Sequence, residues 1–332
     1  MMEVRELIEG EHRLWDELVG GSPQGTIFHK SFWLETSSDL FDKDLRIYGC
    51  FNGESLVGGC SVYLGRFKFM RFASSTVEMT PYGGLVLEQT STSKVRERES
   101  SYNEVIDALV RRFDQSGLPY IKLTNSPGLI DIRPFSWNGW NSKVLYTYCF
   151  DLDGDIGERI SKKARNTVRK AAKSEITIKI SRDIDAFYGL FSMTFERQGL
   201  KPPVTREFLE RMIKLVDDKG VGDMWIAETG SGEIAAAEIF IWDNLRAYRW
   251  SAASHPGYRD TGSPSFLLYD IFGHLKEKGF KEVNLMAANT PNLTKFISSF
   301  NPRLVPYYSV ERKSLLGKIG EMGYQGLHRQ RL

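Results

Sequence analysis

LTNSPGL at residues 123–129 and MAANTPNL at residues 286–293 organise the chain: Asn125, Pro127 and Leu129 recur as Asn289, Pro291 and Leu293 at one constant offset of 164 residues. Working outward, LRIYGCFNGESLVGG at 45–59 is matched by MWIAETGSGEIAAAE at 224–238, each with a glycine-glutamate turn inside a strand-like hairpin. Aromatic pairs, Tyr146/Tyr148 and Tyr307/Tyr308, follow in each half. Two copies of one α/β unit is the simplest account. The grammar restarts after Asp151, which places the division at 1–152 and 153–332.

The rest of the pattern fits that plan. In the first half a helix-like SFWLETSSDLF (31–41) precedes the hairpin at Asn52-Gly53, and a long helix around Tyr102–Gln115 leads to the strand LPYIKLTN. In the second half a basic helix over 157–174 is followed by strand EITIKIS, helices around 185–198 and 205–219, and the hairpin turned at Gly230-Ser231-Gly232. A third strand, LRAYRWSAAS, comes next, then a helix from Pro264 to Lys278, strand KEVNLMAA, a short helix LTKFISSF and strand RLVPYYSVE. Helices and short strands mixed in this way indicate an α/β (α+β) protein whose two units each have a mixed, mostly antiparallel sheet flanked by helices.

Composition bounds the function. The 332 residues are 41% hydrophobic and 26% charged, enough apolar content for one or two packed cores and too much for wholesale disorder. A formal charge of +2 provides no chain-wide field for DNA, so any phosphate must be held locally. Three widely spaced cysteines, without a CxxC, support neither a disulfide framework nor a zinc knuckle and fit the cytoplasm. No stretch reaches the length of a transmembrane segment. His29 and His255 lack a second ligand at metal spacing, so no metal is expected.

Chemistry concentrates in the second half. After Ser251-Ala252-Ala253 the chain opens into Arg259-Asp-Thr-Gly262-Ser263-Pro264 and a helix. Small residues before a helix N-terminus suit an anion such as a pyrophosphate. This segment resembles the phosphate loop of the Gcn5-related N-acetyltransferase (GNAT) fold, Arg/Gln-x-x-Gly-x-Gly/Ala, except that Pro264 replaces the last small residue and removes one N–H donor. The order of further motifs is similar to the Fem-type branch of GNAT proteins, over about residues 20–312. These motifs are Lys163-Ala-Arg165-Asn166-Thr-Val-Arg169-Lys170, the helix ending Arg197-Gln-Gly199, and Asn292-Leu-Thr-Lys295-Phe296-Ile297-Ser-Ser-Phe300. That resemblance implies tandem GNAT-like domains and acyl transfer. Fem-type members are known for peptidoglycan bridge formation with aminoacyl-tRNA. Their Phe-Lys-x-x-Phe reads Phe296-Ile297-Ser-Ser-Phe300 here, and the missing lysine weighs against that donor.

Candidate residues follow. Glu238, sharing a strand face with Ala236 and Phe240, is the candidate base; Tyr307 or Tyr308, of which only one can face a cleft, is the candidate acid. Arg259, Gly262 and Ser263, with the side-chain amides of Asn289 and Asn292, are expected at the donor, acyl-coenzyme A. Arg165, Arg169, Arg197 and Phe296 are expected at the acceptor. On a helical wheel Arg165 and Arg169 share one face with Lys162 and Lys173, while Ile160, Ala164, Val168 and Ala171 form an apolar face. The leading reading is an N-acyltransferase acting on an amine of a small or carrier-linked cell-envelope or polysaccharide precursor. The alternatives are an aminoacyl-tRNA-dependent enzyme and a catalytically silent nucleotide-sugar or carrier-binding module.

Overall fold

The computed structural model describes residues 2–68, 70–197 and 199–314, with Asn292 placed by its backbone alone. The chain packs as two compact units, Met1–Leu145 together with the chain from Pro306, and Tyr146–Val305.

The first unit runs β1 (Glu3–Glu6), α1 (His12–Gly21), α2 (Ser31–Phe41), β2 (Asp44–Asn52), β3 (Ser55–Phe67), β4 (Met70–Ser74), β5 (Gly84–Leu87), α3 (Val95–Gln115), β6 (Tyr120–Thr124), α4 (Arg133–Trp137) and the start of β7 (Asn141–Asp151). The hairpin β2–β3 closes at Asn52↔Ser55, with Gly53 at φ 60, a value that suits glycine and explains the Asn-Gly signal. All pairings are antiparallel except β4 with β6, which are parallel. Helix α3 starts seven residues before the expected Tyr102, because the charged run Val95–Ser101 extends it over solvent where apolar periodicity is silent.

The second unit contains α5 (Ile156–Arg159), α6 (Lys162–Ala171), β8 (Thr177–Ile180), α7 (Ile184–Glu196), α8 (Arg206–Lys219), β9 (Gly222–Glu228), β10 (Ile234–Trp242), β11 (Ala247–Ser254), α9 (Ser263–Glu277), β12 (Glu282–Met286), α10 (Pro291–Ile297) and the start of β13 (Arg303–Lys313). Its sheet order is β7-β12-β11-β10-β9-β8, antiparallel but for the β11–β12 pair. Strand β10 is central and buried along nearly its whole length, which is why IAAAEIFIW reads as a continuous apolar run. The expected basic helix is two pieces: Ser161 caps α6 by accepting the Ala164 N–H at 3.1 Å, and Ile160 before it is extended. The apolar face is as expected: Ala164, Val168 and Ala171 of α6, and Ile160 before it, are all buried.

The unit boundaries fall inside β7 and β13. The closing strand of the first copy, β7, pairs with β12 (Tyr148↔Met286 to Asp151↔Glu282), while that of the second, β13, pairs with β6 (Ser309↔Thr124 to Lys313↔Tyr120). Each copy thus completes the other's sheet, an exchange that covers one edge in each unit. A reading that follows sequence order cannot see it.

The core of the first unit encloses His29, which is 0% exposed, with its Nδ1 2.8 Å from Thr26 Oγ1. Burial pushes this imidazole down to about 4, with the Gly83 carbonyl opposing only in part. Between pH 6.5 and 4 the unfolded chain therefore binds the extra proton, and stability falls as pH falls through that window, by about 3 kcal/mol in all. Denaturant titrations at pH 7 and pH 4.5 should show this loss in the wild type and a smaller one in His29→Gln; equal losses would assign the acid sensitivity elsewhere.

Candidate active site

The second unit opens between its two parallel strands. Pairing of β11 with β12 is confined to Ala247↔Val283 and Tyr248↔Asn284, although β11 continues along β10 as far as Ser254. Two local irregularities part the strands. On β11, Ile239 faces Ser251 and Phe240 faces Arg249, so Trp250 is the extra residue of a β-bulge. On β12, Met286 and Ala287 adopt left-handed φ values of 54° and 60°, and the Met286 N–H is held by Asn284 Oδ1 at 2.9 Å, which also accepts the Thr147 hydroxyl at 2.6 Å. Consecutive left-handed non-glycine residues cost about 1–3 kcal/mol each, strain that collects at functional sites. Past the bulge, the backbone N–H of Ala252, between the β10-paired Ser251 and Ala253, is directed to the edge away from β10, where a ligand can take it.

At the bulge sits a buried ion pair. Glu238 is 2% exposed and receives two bonds from Arg249, Nε to Oε2 at 2.7 Å and Nη2 to Oε1 at 2.6 Å. The guanidinium lies 5.7 Å from the Phe296 ring centre, and Phe296 makes an edge-to-face contact with Phe300. Burial of Glu238 is thus as the apolar strand implies. Its immediate partner is the bidentate guanidinium of Arg249 on the neighbouring strand. Sequence reasoning missed Arg249, since the bulge shifts the strand alternation by one residue between it and Ser251.

The loop expected to cradle a pyrophosphate folds on itself. Pro256–Thr261 form a 3₁₀ turn in which His255 Nδ1 accepts the Gly257 N–H at 3.1 Å and Thr261 donates its hydroxyl to the Tyr258 carbonyl at 2.6 Å. The Ser263 N–H goes to Thr261 Oγ1 at 3.2 Å, Pro264 has none to offer, and the N–H groups of Ser265 and Phe266 both reach the Gly262 carbonyl at 3.0 Å. Ser263 is 0% exposed. Gly262, at φ 84, caps α9, and a Cβ there would stand 2.8 Å from Thr167 Cγ2 of α6. Gly262 and Ser263 therefore set the loop and its packing, with few amides left for a ligand.

Arg259 and Arg197, at the C-terminal cap of α7, are both exposed, and neither has a carboxylate partner among the described residues. Partial burial and the neighbouring Arg197 charge hold the Arg259 guanidinium below its ordinary pKa. Like charges without carboxylate partners favour a nearby anion. Beside them the Tyr258 hydroxyl bonds Glu233, lowering the Glu233 carboxyl.

The other expected residues serve elsewhere. Asn289 clasps the backbone of Tyr146, accepting its N–H at 2.9 Å and donating to its carbonyl at 2.8 Å. Its repeat partner Asn125 does the same work in the first unit, accepting the Leu85 N–H at 3.0 Å and donating to the Tyr308 carbonyl at 3.1 Å. The repeated asparagines are strand fasteners, and their amides are occupied. Asn289→Ala should cost about 1–3 kcal/mol in denaturant titrations through the orphaned backbone groups of Tyr146; a change below 0.5 kcal/mol, about the noise of such data, would deny the clasp. The Asn292 side chain lies outside the described residues.

Tyr307 and Tyr308 belong to the first unit, where Tyr307 packs edge-to-face on Tyr82 at 5.2 Å. Arg165 donates to the Gly157 carbonyl at 2.8 Å, while Arg169 is exposed. Next to them α6 lines a surface hollow with Lys162, Lys163, Asn166, Thr167 and Lys170. No cluster of metal-ligating side chains occurs among the described residues, nor any helix long and apolar enough to cross a membrane.

The sequence profile of the acetyltransferase (GNAT) domain matches residues 159–291, which includes the bulge, the open strand pair and the loop. No curated protein matches in sequence. Among solved structures, that of FemX superposes with a TM-score of 0.70 at 12% identity, covering 92% of this chain and 96% of that one. The C-terminal domain of a putative lysylphosphatidylglycerol synthetase from Agrobacterium fabrum follows at 0.58 and 14%, covering 96% of each chain. A tandem GNAT protein from the clavulanic acid biosynthesis pathway gives 0.55 and 11%, covering 94% of this chain and 98% of that one. Residues 159–291 thus match the GNAT acetyltransferase domain, and the chain as a whole has the fold of these solved structures, a tandem GNAT protein among them.

Proposed function

We propose that the protein is an N-acyltransferase that forms an amide on an amine of a cell-envelope or polysaccharide precursor, with an acyl thioester of coenzyme A as donor. The observation that supports it is the opening between β11 and β12, where an extended acyl arm can lie as an added strand and its carbonyl oxygen can take a β11 N–H. Arg197 and Arg259 then hold the donor's phosphates by side-chain bonds. The amine attacks the acyl carbon, the C–S bond breaks, the amine's proton passes to solvent, and free coenzyme A leaves as the thiolate. A thiolate is a far better leaving group than an alkoxide or an amide nitrogen, so neither Tyr307 nor Tyr308 is required as acid. In this reading Glu238 and Arg249 hold the bulge in shape, and the reaction takes place in the cytoplasm.

A second reading, aminoacyl-tRNA as donor, draws on one observation: the N–H groups of Gly257, Tyr258, Ser263, Ser265 and Phe266 are bonded within the loop, so few are left to cradle a pyrophosphate. Both donors present an acyl group on a phosphate-bearing carrier. Transfer of label to a panel of amino-sugar nucleotides and amino peptides, from acetyl-coenzyme A in one arm and charged tRNA in the other, separates them. Label transfer from the thioester that survives ribonuclease is expected; transfer only from charged tRNA would replace the first reading by the second. Failure of both would leave a silent binding module.

A further inference from the structure

The two units share one strand plan and differ where the second opens. In the first unit the corresponding parallel pair is β4 with β6, joined at Phe72↔Tyr120, Ala73↔Ile121 and Ser74↔Lys122. There the line of bonds continues. The Ser75 N–H donates to the Lys122 carbonyl at 3.0 Å and Ser75 Oγ accepts the Thr124 N–H at 2.8 Å. After an excursion through residues 76–82 the chain returns: the Gly83 N–H donates to the Thr124 carbonyl at 2.9 Å, Gly83 bridges to Asn125, and the Leu85 N–H reaches Asn125 Oδ1 at 3.0 Å.

Strand β5 then runs along β3, from Ser61↔Gly84 to Gly58↔Leu87, on the same edge where β4 ended at Tyr63↔Ser74. Leu85, Val86 and Leu87 are each 0% exposed. Two glycines make this return possible. A Cβ on Gly83 would stand 2.0 Å from the Ser75 carbonyl oxygen, and one on Gly84, at φ 79, would stand 2.4 Å from Asn125 Oδ1. So β4 and β5 together cover the length that β11 covers alone in the second unit, and the gap is hydrogen-bonded shut.

We infer that the first unit takes no acyl donor, its counterpart of the donor gap being filled by its own strand β5, and that the chain binds one donor, in the second unit. The stoichiometry rests on the function proposed above; the closure does not. Two measurements on the full-length protein test it. In ligand-free hydrogen exchange, the amides of Gly83, Leu85 and Thr124 are expected within tenfold of the slow β2–β3 ladder amides. Exchange as fast as the turn at Asn52–Glu54 would mean the gap is open and overturn the inference. In calorimetric titration with acetyl-coenzyme A one equivalent per chain is expected, and two equivalents would overturn the inference. Absence of heat would count against the thioester reading of function, while the exchange result would still decide the closure.

Discussion

Arg249→Ala should destabilise the second unit by about 3–5 kcal/mol, the range for stripping one partner from a buried ion pair. The cost comes from the carboxylate left behind: Glu238 would keep its 2% exposure and lose both charge-assisted bonds. The double variant Glu238→Leu with Arg249→Met should recover most of that loss, because both charges leave together and volume is roughly kept. Denaturant titration of the two variants beside wild type measures this. Under the proposed role the double variant remains folded but transfers acyl groups slowly, since the bulge at Trp250 has lost the pair that spans it. If Arg249→Ala changed stability by less than about 1 kcal/mol, the pair would be a surface-like bridge and its place in the site would fall.

Arg197→Ala together with Arg259→Ala should weaken donor binding by about a hundredfold or more, with each single change contributing roughly tenfold to a hundredfold. Stability should hold or rise slightly, because the two guanidinium groups repel in the absence of an anion. That split distinguishes a ligand site from a structural one, as a structural arginine would lower stability and binding together. The double variant should also flatten the dependence of donor affinity on salt. Unchanged affinity across salt concentrations would leave the pair as solvated surface.

These expectations show which links run from sequence to structure most directly. The repeat of Asn125 and Asn289 located the ends of two equivalent strands, and the hairpins at Gly53 and Gly232 lie where their turn residues place them. The task of the asparagines was not legible, because each binds the backbone of a strand from the other copy, and backbone carries no sequence signal. Glu238 was visible as a lone acid in an apolar strand. Arg249 was not, because one bulged residue is enough to shift alternation. In the loop the small and hydroxyl residues announced a tight turn, but Thr261 Oγ1 takes the Ser263 N–H, and the hydroxyls of Thr261 and Ser263 both donate to the Tyr258 carbonyl. Arg197 and Arg259 lie 62 positions apart in the chain, and only the fold reveals them as neighbours.

The position of the donor is the central claim, and a hydrogen-exchange footprint at saturating coenzyme A thioester tests it most directly. The account predicts new protection in β11 from Arg249 to Ser254, in the turn at Met286–Ala287 and around Arg259, with β5 and β6 unchanged. Protection confined to residues 83–87 and 120–125, or none anywhere in the second unit, would contradict it.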